Sequence, residues 1–172
     1  MLKESLRKVL GEQIVAEYYS AYLYLAMSAW ADRAGYQGIA NWLFVQAQEE
    51  MAHGTHIYEH VLERGEAPTL SEIQAPKQEF DSMQAMFEMV LSHEQWVTER
   101  INNIATIAMK EGDHATYNFI MWYVDEQVEE EASADQILSK VKAVSDHPGL
   151  MYNLDAELAT RVFVNPFPAA AT

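Results

Sequence analysis

Glu50 and His53 stand three residues apart in the stretch QEEMAHGTHIYEH, residues 48–60. Helical spacing sets both into an otherwise apolar stripe with Ile39, Leu43, Gln46, Ile57 and Val61. A carboxylate buried without a partner is expensive, so something facing this stripe must compensate the charge. Three other stripes are interrupted in the same way. Glu17 interrupts Leu6, Leu10, Gln13, Tyr24 and Ala31; Glu94 interrupts Met83, Phe87, Val90, Val97, Ile101 and Ile104; Gln127 and Glu130 interrupt Thr116, Ile120, Tyr123, Ala134, Ile137 and Val141. Taken singly, each is the kind of core polar group that a hydrogen bond satisfies. Four carboxylates in one dry layer, however, cannot all ionise without counter-charge, and two divalent cations would supply it. Oxygen ligands with one imidazole suit iron or manganese.

The elements that would position these groups follow from periodicity. Four long helical patterns run over 5–34, 37–64, 81–110 and 113–142, with no proline inside any of them. Gly35, Gly65 and Gly112 stand where left-handed helix ends are expected, and Asp113 can cap the fourth helix. The turns after the first and third helices are short and predict two antiparallel hairpins. Residues 65–80 form a longer connection. Extended, they reach about 50 Å, enough to run the length of a helix of about 45 Å and leave helices two and three parallel. A short fifth helix is predicted over 148–160, with Asp146 as its cap, Pro148 in its first turn, and Leu150, Leu154 and Leu158 on one face. The rest of the chain, VFVNPFPAAAT, shows no regular pattern.

Counting along the helices brings the polar positions to one level. Glu17 lies 18 residues before Gly35 and His53 lies 18 after it; Glu94 and Glu130 are placed identically about Gly112. The second hairpin repeats the first 77 positions on, pairing Glu17 with Glu94, Glu50 with Gln127, His53 with Glu130 and Gly35 with Gly112. An approximate two-fold axis would gather all six groups. A Glu from each of two helices with Glu-x-x-His from the other two is how four-helix bundles hold a pair of metal ions. Here the second motif reads Gln127-x-x-Glu130, so one metal position would have a nitrogen ligand and the other oxygens alone. A metal-free, hydrogen-bonded carboxyl cluster is the other reading of these residues. Acid and base work on a sugar is disfavoured, because a bundle interior offers no cleft for it.

Composition narrows the class. A chain of 172 residues, 49% hydrophobic and 11% aromatic, suits one folded domain with a sizeable core. There is no cysteine, which removes disulfides and thiolate metal sites from consideration. A formal charge of −15 speaks against a nucleic-acid partner and is compatible with drawing in cations, though solubility alone accounts for it. The start, MLKESLRKVLGEQ, scatters its charges and is not patterned as a secretory leader, so a cytoplasmic location is expected. The longest uncharged runs, 18–31 and 34–48, are too short to span a membrane.

With Glu17, EEMAH at 49–53, HEQW at 93–96, DEQVEEE at 125–131 and YNLDAEL at 152–158 in register across five helices, the sequence resembles the bacterial non-haem ferritins. The resemblance covers nearly the whole chain. It implies an all-α, ferritin-like four-helix bundle with a long crossover between helices 2 and 3 and a short fifth helix, over 1–160, followed by an irregular tail, 161–172. It also implies a homo-oligomeric cage of 24 subunits that oxidises iron(II) with O2 or H2O2 and stores a hydrated iron(III) oxide. Carried over by position, Glu17, Glu50 and His53 would hold one iron, and Glu94 and Glu130 the second, with Glu50 bridging and Gln127 beside it. A third iron position of the family corresponds to Glu49, Glu126, Glu129 and Glu130. The first three of these read equally as a solvated acidic face. Tyr24 corresponds to a tyrosine near the site and Trp122 to an aromatic near it; either could donate an electron, and either could be core packing.

Met51 stands where the haem-containing relatives place a haem-binding methionine. Those relatives carry Glu-x-x-His in the fourth helix as well, which this chain lacks, so no haem is expected. A di-iron oxygenase or radical generator would use the same bundle but usually needs both Glu-x-x-His motifs. A purely structural assembly protein would leave the interior cluster unexplained.

Overall fold

The computed structural model describes residues 2–167. It contains five helices: α1 (Glu4–Arg33), α2 (Gln37–Glu63), α3 (Met83–Glu111), α4 (His114–Val144) and α5 (Pro148–Leu158). The predicted helices begin and end within about two residues of these. Gly35, Gly65 and Gly112 all have positive φ, at 90°, 76° and 68°. Beside each, the following backbone N–H folds back onto the last turn: Tyr36 N onto Ala31 O, Glu66 N onto Val61 O and Asp113 N onto Ala108 O. Those carbonyls would otherwise be left unpaired at the helix ends. Asp113 caps α4, accepting from Thr116 N at 3.0 Å, and Ser82 caps α3, accepting from Ala85 N at 3.0 Å.

The crossover runs along α1. A β-carbon on Gly11 would come within 2.7 Å of the Thr69 carbonyl oxygen, and near the other end of α1 Arg33 pairs with Glu79 at 3.0 Å. The chain therefore leaves α2 beside the start of α1 and enters α3 beside its end, which makes α2 and α3 parallel. Helices α1 and α2 pack together, as do α3 and α4, and α1 meets α3; no Cα of α2 comes within 8 Å of one of α4. A groove is left between those two helices.

α5 departs from expectation in two respects. Its N-cap position is His147, with no side-chain bond, so Asp146 stands one residue too early to cap it. Its buried face is Met151, Leu154 and Leu158, while Leu150 is 49% exposed. The reason is docking: Gly38 of α2 meets the Asp155 backbone so closely that a β-carbon would lie 1.7 Å from its carbonyl oxygen, and Asp155 accepts from Ile39 N at 2.8 Å. These contacts set the rotation of α5. Residues 161–167 form no regular element, and 168–172 of the predicted tail lie outside the described residues.

The apolar core is in two parts. One holds Tyr24, Met27, Ile39, Leu43, Phe87, Val90, Ile137 and Val141; the other holds Leu6, Leu10, Ile14, Ile57, Val61, Ile101 and Ile120. Between them lies a buried polar layer of Gln13, Glu17, Ser20, Gln46, Glu50, His53, Glu94, Gln127 and Glu130.

Candidate metal centre

The layer exists because each of α1–α4 presents a polar turn at the same height, and because α1 and α2 cross closely there at Gly54. Glu17, Glu50 and His53 each bring one ligand atom to a common place, all within 4.8 Å of one another. None is more than 2% exposed, so water does not solvate their charge. Glu94 and Glu130 share the layer but are drawn aside by other partners. Tyr24 donates its hydroxyl to Glu94, and Gln127 Nε2 donates to the other Glu94 oxygen at 3.3 Å. Gln46 Nε2 donates to Glu130 at 2.9 Å.

Electrostatics follow from burial. Desolvation first, then the charges of Glu17 and Glu94, push Glu50 well above the usual carboxylate range. Glu94 is raised to about 7 and Glu130 to about 8, chiefly by desolvation. Glu17 is raised by desolvation against hydrogen bonds from Glu50 and Gln13. His53 falls to about 4, by desolvation and then the neighbouring His56, and is neutral near pH 7. A neutral imidazole is the form that binds a metal.

Two atoms of the constellation, Glu17 Oε2 and His53 Nε2, are buried without a hydrogen-bond partner among the described residues, as is Gln46 Oε1. Orphaned acceptors of this kind are costly in a finished core and ordinary around a cation. The donor set fits a hard or borderline divalent ion.

The remaining predicted residues divide. Tyr24 is fully buried with its hydroxyl on Glu94, not on Glu17, and the Trp122 ring stands edge-on to His53 with centroids 5.5 Å apart. Glu126 is half-buried and Glu129 exposed. Glu49 is not free: Arg161 donates to its Oε2. Met51 is 50% exposed, outside the core.

Several supporting residues carried no separate signal in the sequence. Arg100 Nε donates to Gln13 Oε1 at 2.9 Å, and Gln13 Nε2 to Glu17 Oε1 at 2.8 Å. Tyr123 donates to the His53 carbonyl oxygen at 3.0 Å and lies 3.0 Å from His56 Nδ1. Gln13, Gln46 and Tyr123 each stand four residues before a polar member of the layer, one helical turn away, which is the spacing that could have identified them. Arg161 and the Phe167 ring, 3.7 Å from His56 and 4.5 Å from Trp122, had no such signal.

Known proteins share this fold. The sequence pattern of the Ferritin-like domain family matches residues 7–144. The chain belongs to that family. This ferritin is 40% identical to the bacterial non-heme ferritin of Staphylococcus haemolyticus over 95% of its own length and 98% of the relative's, and 41% identical to that of Staphylococcus saprophyticus over the same shares. Among solved structures it is similar to an open-pore ferritin from the hyperthermophilic archaeon Archaeoglobus fulgidus, at 44% identity and a TM-score of 0.92, covering 94% of this chain and 100% of that one. A humanized archaeal ferritin superposes with a TM-score of 0.94, again at 44% identity, over 95% and 99% of the two chains. The bundle with its short fifth helix is the ferritin fold, and membership makes the chain an iron-storage protein. No described helix is long and apolar enough to cross a membrane.

Proposed function

We propose that this ferritin oxidises iron(II) at an intrasubunit dinuclear centre and stores the product as a hydrated iron(III) oxide inside a cage of 24 copies. The observation that carries the reading is the convergence of Glu17, Glu50 and His53 within 4.8 Å, with two of their polar atoms orphaned. In this reading they hold the first iron. Glu94 and Glu130 turn from Tyr24 and Gln46 to hold the second, Glu50 bridges, and Gln127 steadies Glu94.

Two iron(II) ions give up two electrons. With two protons, these reduce O2 to H2O2, or H2O2 to water. Glu50, Glu94 and Glu130, held high by burial and mutual repulsion, release protons as the cations arrive. Tyr24 and Trp122 stand close enough to the layer to supply a further electron. Glu49, Glu126 and Glu129 with Glu130 form a third cation position on the flank. The absence of a second Glu-x-x-His argues against haem at Met51, and family membership sets the oxygenase reading aside. The storage unit is the bundle over 1–160, and a cytoplasmic location goes with it.

The test is anaerobic addition of iron(II) to the metal-free protein, followed by oxygen, watched by absorbance and particle size. A fast phase saturating at two iron per subunit in a particle of several hundred kilodaltons is expected. A monomer or dimer without a fast phase would overturn the proposal.

A further inference from the structure

Beyond α5, residues 161–167 stay on the bundle. Asn41 Nδ2 donates to the Arg161 carbonyl oxygen at 2.9 Å, and the Arg161 guanidinium lies over the Trp42 ring, 4.7 Å from its centroid. The same guanidinium donates through Nη2 to Glu49 Oε2, while its Nη1 is buried with no acceptor among the described residues. Six residues on, Phe167 stacks on His56 and reaches Trp122 of α4, with His53 6.1 Å and Tyr123 6.2 Å from its centroid. Along α2, Trp42 and His56 are about 21 Å apart, close to the full extension of the intervening tail residues. The segment therefore lies stretched along the groove between α2 and α4, over the His53 side of the polar layer.

The charges around Arg161 give this path a consequence. Glu49 lies close enough to Glu126 and Glu130 for its charge to raise both, and all three carboxylates feel the Arg161 charge. Three of the four carboxylates assigned above to a third cation are already served by a cation of the chain itself. An ion arriving there meets a guanidinium held by three anchors: the Asn41 bond, the Trp42 ring and the Phe167 plug.

We propose that residues 161–167 form a strap in the α2–α4 groove whose Arg161 is a tethered counter-ion of the third cation position, so that a metal ion is held at Glu49, Glu126 and Glu129 only after Arg161 has been displaced. Arg161 is thus a specificity-determining residue for how many ions each subunit holds. This rests on the third-position reading given under Proposed function.

The test uses the assembled, metal-free protein and zinc(II), which binds without redox chemistry. Calorimetric titration of the parent, R161Q, R161K and F167A is combined with anomalous diffraction at the zinc edge. The first two equivalents should bind alike in all four. The third should bind about tenfold more tightly in R161Q, as for removal of a partly buried competing charge, and as in the parent in R161K. F167A, which keeps the charge and loses the plug, should gain part of that increase. In zinc-saturated parent crystals Arg161 should have left Glu49. Zinc beside Glu49 with Arg161 still bonded to it, or a third position as weak or as empty in R161Q as in the parent, overturns the proposal. A third affinity in F167A equal to the parent's overturns the strap. Absence of zinc from Glu17, Glu50 and His53 would instead overturn the dinuclear reading, while diffraction still reports the third position.

Discussion

A β-carbon placed on Gly54 would lie 3.2 Å from the Glu17 β-carbon and 2.6 Å from the Tyr18 ring, so α1 and α2 touch at the height of the carboxylate layer. This closeness brings Glu17 to Glu50 and His53. Gly54→Ala gains helix propensity of about 1 kcal/mol, but overpacking a close crossing costs about 1–3 kcal/mol, so the clash wins. The Tyr18 ring, only half-buried, can swing aside; the Glu17 backbone has to move with α1. We expect the metal-free variant to melt a few degrees lower and its fast iron oxidation to slow about tenfold, as for small misplacements of a reacting group. Unchanged melting and rate, measured by calorimetry and stopped-flow absorbance, would show that the crossing has slack.

Glu50 is the group whose removal should separate stability from activity. In the metal-free core its carboxyl is crowded by Glu17, Glu94 and Glu130, and burial keeps it protonated. Glu50→Ala relieves that crowding and should fold and assemble, yet lose rapid oxidation by about 100-fold or more, because loss of an outer-shell partner alone costs a metal site about 10–100-fold. A parental rate in an assembled variant would refute the bridging role.

At the far end of the bundle, Arg64 and Asp113 fasten the end of α2 to the start of α4. The guanidinium donates to both carboxylate oxygens at 2.9 Å, and Asp113 also caps α4. The Arg64 hydrogen bonds hold Asp113 at about 2, below its usual 3.8, so its stabilisation is present above pH 3.8 and lost as pH falls through 2. Asp113→Ala should cost about 2 kcal/mol, the cap and the ion pair together, and Asp113→Asn about half of that. Thermal midpoints measured from pH 5 downward should show the deficit shrinking toward pH 2; a deficit independent of pH would mean that the charge contributes nothing.

The four long helices and their shared polar level were legible because both depend on local spacing. Glycines and Asp113 mark the helix ends, and the 77-residue offset aligns Glu17, Glu50 and His53 with Glu94, Gln127 and Glu130. The rotation of α5 was not legible: Leu150 and Met151 are adjacent apolar residues, and only the seat on Gly38 decides which is buried. The hold of Arg161 on Glu49 spans 112 residues of sequence and comes from a segment without periodicity. Glu49 thus read as a free acidic residue until the groove was seen to be filled.

Protons report on the centre without any redox step. In the metal-free protein Glu94 at about 7 and Glu130 at about 8, both raised chiefly by burial, titrate near neutrality, and Glu50 is raised well above the usual carboxylate range as well. A carboxyl raised in the folded state stabilises it fully below the unfolded value of 4.5 and loses that contribution as pH rises through the folded value. His53 runs the other way: held at about 4 instead of 6.5, it penalises the fold increasingly as pH falls from 6.5 to 4. Between pH 6.5 and 8 only the carboxyls of this layer change, so metal-free stability should fall across that window. Zinc replaces their protons and should flatten the profile, releasing about two protons per pair of ions at pH 7. Thermal midpoints with and without zinc, and titration calorimetry in buffers of different ionisation heat, measure both quantities. A flat metal-free profile with no proton release would mean that the carboxyls are already ionised, and that the layer is not the high-energy site waiting for cations that its burial implies.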